Sequence, residues 1–392
     1  MSLTTYDIPS LISTPWVLYD ISRILKRSAA PFATGIDRID LQVLQILSAA
    51  FGERLLPIAR TGQSLAPLDP AALPEWLNNL SARWLGEECP VIPAAALMSR
   101  WKAWAHRVRP KHALMKQLLS RMGGEECTYV CCSHSGLATV PGLLPFLKNT
   151  LHMQSLIYIH DLIPLEYPEY SRPEATQRFR RMLDEYASLR PDFLVNSHDT
   201  GQRLARWLEN NHPDKPPETI RGAPPVVDWL PSDIPPASSL SFIDTSVPYF
   251  VIVGTIEPRK NHLLLLHIWR QWVEEGRKKI PHLHIVGKRG WENECILDML
   301  ERCEAIRPYV FEHNNLSQRE MLALVKGAKA MLMPSLAEGL GLPALEACKV
   351  GARVLLSDIP VFRSFPIQCL EKHLISPLDT MTWKRRLEEI VF

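Results

Sequence analysis

Two carboxylates, Glu338 and Glu346, flank the turn Glu338-Gly-Leu-Gly-Leu-Pro-Ala-Leu-Glu346, with seven residues between them. The apolar run Ala330-Met-Leu-Met-Pro334 precedes it and reads as a buried strand. The segment from Leu342 to Val350 that follows has helical length. Strand, glycine turn and helix start together present backbone N–H groups to an anion. A carboxylate on each side can then hold the hydroxyls of a sugar and of a ribose. The chemistry indicated is recognition of a nucleotide sugar. Gly339 and Gly341 point the same way, because a glycine costs about 1 kcal/mol against alanine inside regular structure. Both make sense where the backbone must turn tightly and approach a ligand.

A second group of candidates lies in Val253-Gly-Thr-Ile-Glu-Pro-Arg-Lys-Asn261, directly after another apolar run. A loop at the carboxyl end of a parallel strand is where ligands bind in open α/β sheets. Arg259 and Lys260 suit a diphosphate there, Arg as a planar fork and Lys as a point charge. Earlier in the chain, Tyr158-Ile-His-Asp161 puts His160 and Asp161 at the end of an expected strand. Each candidate also has a plain structural reading. Arg259-Lys260 can be a solvated pair, Glu346 can answer a helix macrodipole, and Asn196-Ser197 can cap a helix.

These residues need elements to position them, and the chain is long enough to provide them. Its 392 residues, 46% apolar and 22% charged, fit a globular protein of two domains. A net charge of +2 is too mild to argue for nucleic acid. The eight cysteines form no CxxC pair, and the expectation is free, mostly buried thiols in a reducing compartment. The first thirty residues lack a signal pattern, and no stretch approaches the roughly 20 apolar residues that span a bilayer. The expected location is cytoplasmic.

Short β-rich runs alternate with helical patterns, which argues for α/β architecture with parallel sheets. Strands are expected at Trp16–Asp20, Thr128–Cys132, Ser155–Ile159 and Asp192–Val195 in the first half. In the second half they are expected at Tyr249–Val253, His282–Val286, Tyr309–Phe311, Ala330–Met333 and Arg353–Ser357. Helices fit from His262 to Glu275 and from Trp291 to Cys303, and Ser317-Gln-Arg-Glu320 has the form of a capping box. The Pro- and Ser-rich stretch Pro231–Leu240 reads as a linker. It divides the chain into domains 1–240 and 241–392. Ser99–Gly124 has no acidic residue and interleaves Trp101 and Trp104 with seven Lys and Arg. It suits an anionic membrane surface, or equally a packed helix with a solvated basic face.

Taken together, Gly254 with Glu257-Pro-Arg-Lys-Asn261, Val286-Gly-Lys-Arg-Gly-Trp291, Pro334 to Glu346 and Ser357-Asp-Ile-Pro-Val361 resemble the family 4 glycosyltransferases. These are retaining enzymes of GT-B fold, two Rossmann-like doubly wound domains facing across a cleft. The Glu257 to Asn261 loop is similar to a subgroup that builds bacterial surface polysaccharides, often from mannose-type donors. The resemblance implies that the first domain takes the acceptor and the second the donor. It implies that Glu338 holds donor-sugar hydroxyls and that the Gly339, Leu340, Gly341 and Leu342 backbone meets diphosphate or sugar. Glu346 would bind the ribose diol, and Lys260 would neutralise the leaving diphosphate. His160 would contact the sugar near the reacting carbon, with Asp161 orienting it or touching the acceptor.

Ala33-Thr-Gly-Ile-Asp-Arg38 resembles the glycine loop after the first strand of such enzymes. Gly35 would pass close to the diphosphate, and Arg38 could reach a phosphate. One departure stands out: Thr255 occupies the place where many members carry an arginine, and Arg259 is the candidate substitute. The implied reaction is retaining transfer from a nucleoside diphosphate sugar, GDP-mannose first among candidates. The acceptor would be a hydroxyl of a growing glycan or lipid-linked oligosaccharide such as O-antigen or capsule. No His/Asp/Glu cluster has metal-ligand spacing, so neither a metal nor a bound cofactor is expected. Two competing readings are a sugar-nucleotide epimerase of the same shape and a silent glycan-binding scaffold.

Overall fold

The computed structural model describes residues 4–61, 64–87, 120–364 and 372–392. The basic segment 99–124 falls almost wholly outside the described residues. Two compact units emerge, one of Met1–Leu162 with Glu174–Val226, the other of Ile163–Pro173 with Val227–Phe392.

The first unit is built on seven strands: β1 (Trp16–Asp20), β2 (Leu55–Thr61), β3 (Ser64–Pro67), β4 (Cys127–Cys131), β5 (Gln154–Ile159), β6 (Asp192–Val195) and β7 (Thr219–Gly222). Their order is β3-β2-β1-β4-β5-β6-β7. All neighbours are parallel except β3, which returns antiparallel beside β2. The strand order reverses between β1 and β4, which defines the ligand-binding position of an open α/β sheet. The interior is rich in tyrosine, and each buried hydroxyl has an acceptor. Tyr19 donates to Asp40 Oδ1 at 2.7 Å, Tyr129 to Asp20 Oδ2 at 2.9 Å and Tyr158 to the Ala223 carbonyl at 2.7 Å.

The second unit holds a six-stranded sheet of β8 (Tyr249–Val253), β9 (His282–Val286), β10 (Val310–His313), β11 (Ala330–Met333), β12 (Val354–Ser357) and β13 (Lys372–Ile375). Its order is β10-β9-β8-β11-β12-β13, parallel throughout. Central strands β8 and β11 are buried at every residue, as continuous apolar runs covered on both faces must be. Trp269, Trp272 and Trp383 fill the core beneath the helices. The Trp272 indole donates to Glu388 of the terminal helix Thr380–Val391 at 2.8 Å, which ties that helix to this unit. The capping box forms as expected: Ser317 accepts from Glu320 N, and Glu320 accepts from Ser317 N at 2.8 Å.

Cys127, Cys131, Cys132, Cys295 and Cys303 are free thiols. Cys348 is disulfide-bonded, a correction to the expectation of free thiols. The sequence holds no CxxC spacing that would have signalled it. Among the described residues no helix is long and apolar enough to cross a membrane.

Burial gives this fold a directional response to acid. Burial pushes the imidazoles of His134, His160, His262 and His284 down to about 3. Unfolded, these four would bind protons below a pKa of about 6.5, so stability falls as pH drops below that value. Asp40 opposes them, because burial raises its carboxyl to about 7 and stability then falls as pH rises from about 4 to 7. Asp20, Asp228 and Glu257 are raised by burial in the same sense as Asp40, and His282 and His313 are lowered like the other imidazoles, so six imidazoles stand against four carboxyls. The urea midpoint is therefore expected to fall on going from pH 7 to pH 5; a midpoint unchanged or raised at pH 5 contradicts this accounting.

Candidate functional site

The second sheet reverses its order between β8 and β11, and the loops leaving these two strands carry the charged residues. After β8 the chain passes through Gly254 at φ +149°, where a Cβ would sit 3.2 Å from Lys260 Cε. Gly254 thus leaves room for the lysine stem. A single 3-10 turn, Pro258–Lys260, follows and ends at Asn261 in the left-handed region. The Asn261 amide donates to the carbonyls of Pro334 at 3.1 Å and Pro377 at 2.9 Å. Leu336 N donates to the Arg259 carbonyl at 2.8 Å, so the β8 and β11 loops are stapled together.

The staple brings four charged side chains into one group. Lys260 Nζ lies 2.5 Å from Glu338 Oε1, which also accepts from Ser335 Oγ at 2.8 Å. Arg259 Nη1 lies 3.0 Å from Glu338 Oε2, and Arg259 Nε lies 2.7 Å from Glu257 Oε1. The Glu338 side chain is 6% exposed. Burial alone would raise its pKa, but Lys260 and then Arg259 overcome that and hold the carboxyl at about 2. Burial moves the Lys260 ammonium the other way, below its ordinary value, against the pull of Glu338. Glu257 is raised by burial in spite of Arg259 and Lys260.

Beyond Glu338, Gly341 at φ +86° caps the helix Leu342–Lys349. A Cβ on Gly341 would meet Phe362 Cε1 at 2.4 Å, so only glycine fits. The side chains of Leu340 and Leu342 are buried, which leaves the backbone as the part of this turn suited to meet a ligand. Glu346, buried on that helix, accepts from the Trp229 indole N–H at 2.8 Å. Trp229 escaped the sequence reading because it lies 117 positions from its partner in the chain. Trp229→Phe keeps the ring and deletes the donor. It is expected to destabilise by about 1.5–3 kcal/mol, the range for hydrogen bonds to charged groups; urea denaturation checks this, and an unchanged midpoint would show the contact contributes nothing.

In the first unit, His160 stands at the carboxyl end of β5 and is 3% exposed. Its Nε2 lies 2.7 Å from the Cys132 carbonyl, which can only accept, so Nε2 carries the ring proton. Its buried Nδ1 has no partner among the described residues. Burial, and then His134, keep the ring neutral. Asp161 is half-buried beside it. At the reversal point of this sheet, Asp20 is fully buried and accepts from Leu137 N at 2.8 Å, Tyr129 and Ser22. Gly136, at φ +96°, packs so close that a Cβ would lie 2.3 Å from Asp20 Oδ2. Asp20 was legible only as the last residue of an expected strand.

Gly35 departs from expectation. A short helix, Ser22–Arg27, follows β1, and Gly35 is the first residue of the helix Gly35–Phe51 rather than a loop turn. The capping box of Thr34 and Asp37 explains this, since it satisfies the helix start and Arg23 and Arg27 both pair with Asp37. Arg38 is half-buried in the first turn of that helix. Ser197 takes the structural alternative, accepting from Thr200 N at the start of the helix His198–Asn211. Gly254, Arg259, Lys260, Glu338, Gly339, Leu340, Gly341, Leu342 and Glu346 thus lie together in the second unit. Gly35, Arg38, His160 and Asp161 lie in the first.

Residues 238–391 match the family model described as glycosyl transferases group 1. The serotype-specific mannosyltransferase WbdA of Escherichia coli is 30% identical over 213 residues, covering 52% of this chain and 26% of the relative. The O-antigen chain mannosyltransferase B of Escherichia coli is 27% identical over 240 residues, 57% of this chain and 61% of the relative. The chain thus spans about a quarter of the length of the first relative. Among solved structures, the sucrose-phosphate synthase of Thermosynechococcus elongatus superposes with a TM-score of 0.59 at 17% identity, over 95% of this chain and 89% of its own. The Anabaena protein Alr3699/HepE in complex with UDP gives 0.58 at 12%, with the same coverage. These likenesses show the GT-B fold.

Proposed function

We propose that this chain, whose residues 238–391 form a glycosyl transferases group 1 domain, transfers a sugar from a nucleoside diphosphate sugar to a hydroxyl of a growing surface glycan. The observation that carries the reading is the buried Lys260–Glu338–Arg259 group at the reversal point of the second sheet. A mannose-type donor such as GDP-mannose is favoured by the names of the relatives, both mannosyltransferases.

In this reading the bond from the anomeric carbon to the diphosphate breaks, and a bond from the acceptor oxygen forms on the same face. The acceptor proton passes to the departing phosphate oxygen. Lys260 and Arg259 answer the developing charge, and the backbone entering the helix Leu342–Lys349 adds N–H donors without a metal. Glu338 fixes both cations and takes donor-sugar hydroxyls, while Glu346 takes the ribose diol. In the first unit, neutral His160 presents Nδ1 as an acceptor suited to a sugar hydroxyl.

The test is thermal stabilisation of the protein by ADP, GDP, UDP and CDP, together with Glu338→Ala in a cell-based glycan assay. At least one nucleotide is expected to raise the melting temperature and the variant to lose glycan. No shift with any nucleotide, and a variant equal to the parent, would overturn the proposal.

A further inference from the structure

The charged group at the β8 and β11 loops is balanced before any ligand arrives. Glu257 and Glu338 contribute two negative charges, and Arg259 and Lys260 two positive ones. Glu257 is 1% exposed, and the Lys260 and Glu338 side chains are 8% and 6% exposed. A nucleoside diphosphate sugar brings about two further negative charges, and with only Arg259 appreciably exposed, at 21%, solvent screens them weakly. The two cations are already neutralised, so charge must be compensated by another route.

We propose that Glu257 takes up a proton when a nucleoside diphosphate sugar binds, becoming the neutral acid that lets Arg259 and Lys260 serve the diphosphate. This rests on the function proposed above and assigns a further residue to that site. The two acids differ in their surroundings. Glu338 is held ionised by Lys260, Arg259 and Ser335. Glu257 has one ion pair among the described residues, with Arg259 Nε at 2.7 Å, against the two cations and the serine that hold Glu338. Burial already moves it toward its neutral form.

The other groups packed around Glu257 offer one competitor. From the loop after β9, Gly290 faces it, and Arg289 of that loop is engaged by Glu312 and Glu301. From the following helix comes His262, buried and kept neutral by burial and then by Lys260, with the Glu257 backbone as a counteracting contact. Protonating His262 would create a buried cation beside Lys260, whereas protonating Glu257 removes a buried anion. The second is favoured by both burial and charge.

The experiment is titration calorimetry of the wild-type chain with GDP-mannose and UDP-glucose at pH 7.5, in buffers of different ionisation enthalpy. The diphosphate diester of such donors does not titrate near neutral pH, so any proton taken up belongs to the protein. Uptake approaching one proton per ligand is expected, with affinity weakening as pH rises to 8.5. Glu257→Gln is expected to abolish the uptake and to bind at pH 8.5 at least as tightly as wild type. Binding without proton uptake overturns the inference and leaves the proposed function standing. Uptake that persists in Glu257→Gln overturns it too and moves the proton to His262. No binding of either donor, with no nucleotide raising the melting temperature, removes the proposed function and the inference together.

Discussion

Lys260→Met is expected to lower turnover by about 100- to 1,000-fold, the usual effect of deleting one preorganised stabiliser of a developing anion. The same change is expected to destabilise the fold by about 3 kcal/mol, because it strips a partner from the buried Glu338 carboxylate. The two effects can be separated. Lys260→Met combined with Glu338→Gln removes both members of the 2.5 Å pair and replaces a stranded charge with a neutral amide. Most of the lost stability should return, since removing both partners is far milder than removing one. Activity should not return, because the diphosphate still lacks its point charge and the donor sugar has lost the Glu338 carboxylate, a second loss that Glu338→Gln alone measures. Denaturation and initial rates on Lys260→Met, Glu338→Gln and the double variant decide this. If the double variant recovers activity along with stability, Lys260 acts only as a structural counter-ion.

Gly287→Ala is the second change expected to have a large effect. Gly287 leaves β9 beside the loop that leaves β8, and a Cβ there would lie 1.9 Å from the Gly254 carbonyl oxygen. Backbone cannot move aside as a side chain can, so the β8 loop must shift. That loop carries Glu257, Arg259 and Lys260, and its own Gly254 N bonds to the Val286 carbonyl at 2.9 Å. Overpacking of this kind costs about 1–3 kcal/mol in stability. A displacement of about 1 Å at a positioned charge costs about 100-fold in rate, so activity should suffer more than stability. Equal melting temperature and equal rate in Gly287→Ala would show that the close approach has no consequence.

How far the sequence announced this structure depends on where each residue sits. The expected strands at Trp16–Asp20, Asp192–Val195, Tyr249–Val253, His282–Val286 and Ala330–Met333 coincide residue for residue with β1, β6, β8, β9 and β11. Each is an interior strand, where burial demands an apolar run. The strands that escaped include β3, β7 and β13, which lie at sheet edges and need little apolar surface. β10, another edge, was expected at Tyr309–Phe311 and runs from Val310 to His313. Interior β2 also escaped, because Pro57 and Arg60 interrupt its run.

The charged group of the second unit was legible for a related reason. Its members fall in two short windows, 254–261 and 334–346, each directly after a strong strand. Glu257 was visible in the motif, but its ion pair with Arg259 was not. Trp229 on Glu346 and Asp20 on Leu137 were invisible, because such contacts join residues more than 100 positions apart. Gly35 was read as a loop residue because a glycine just ahead of a helix marks either the end of the loop or the helix start. The capping box of Thr34 and Asp37 decides it.

The central claim is that the paired loops after β8 and β11 serve transfer from a nucleotide sugar. It is tested most directly by incubating the wild-type chain with a panel of nucleoside diphosphate sugars and oligosaccharide acceptors. Product mass and anomeric configuration are read by mass spectrometry and NMR. One donor, GDP-mannose first, is expected to give a glycoside with the donor's anomeric configuration retained. A product of inverted configuration, or no transfer from any donor in the panel, would contradict the account.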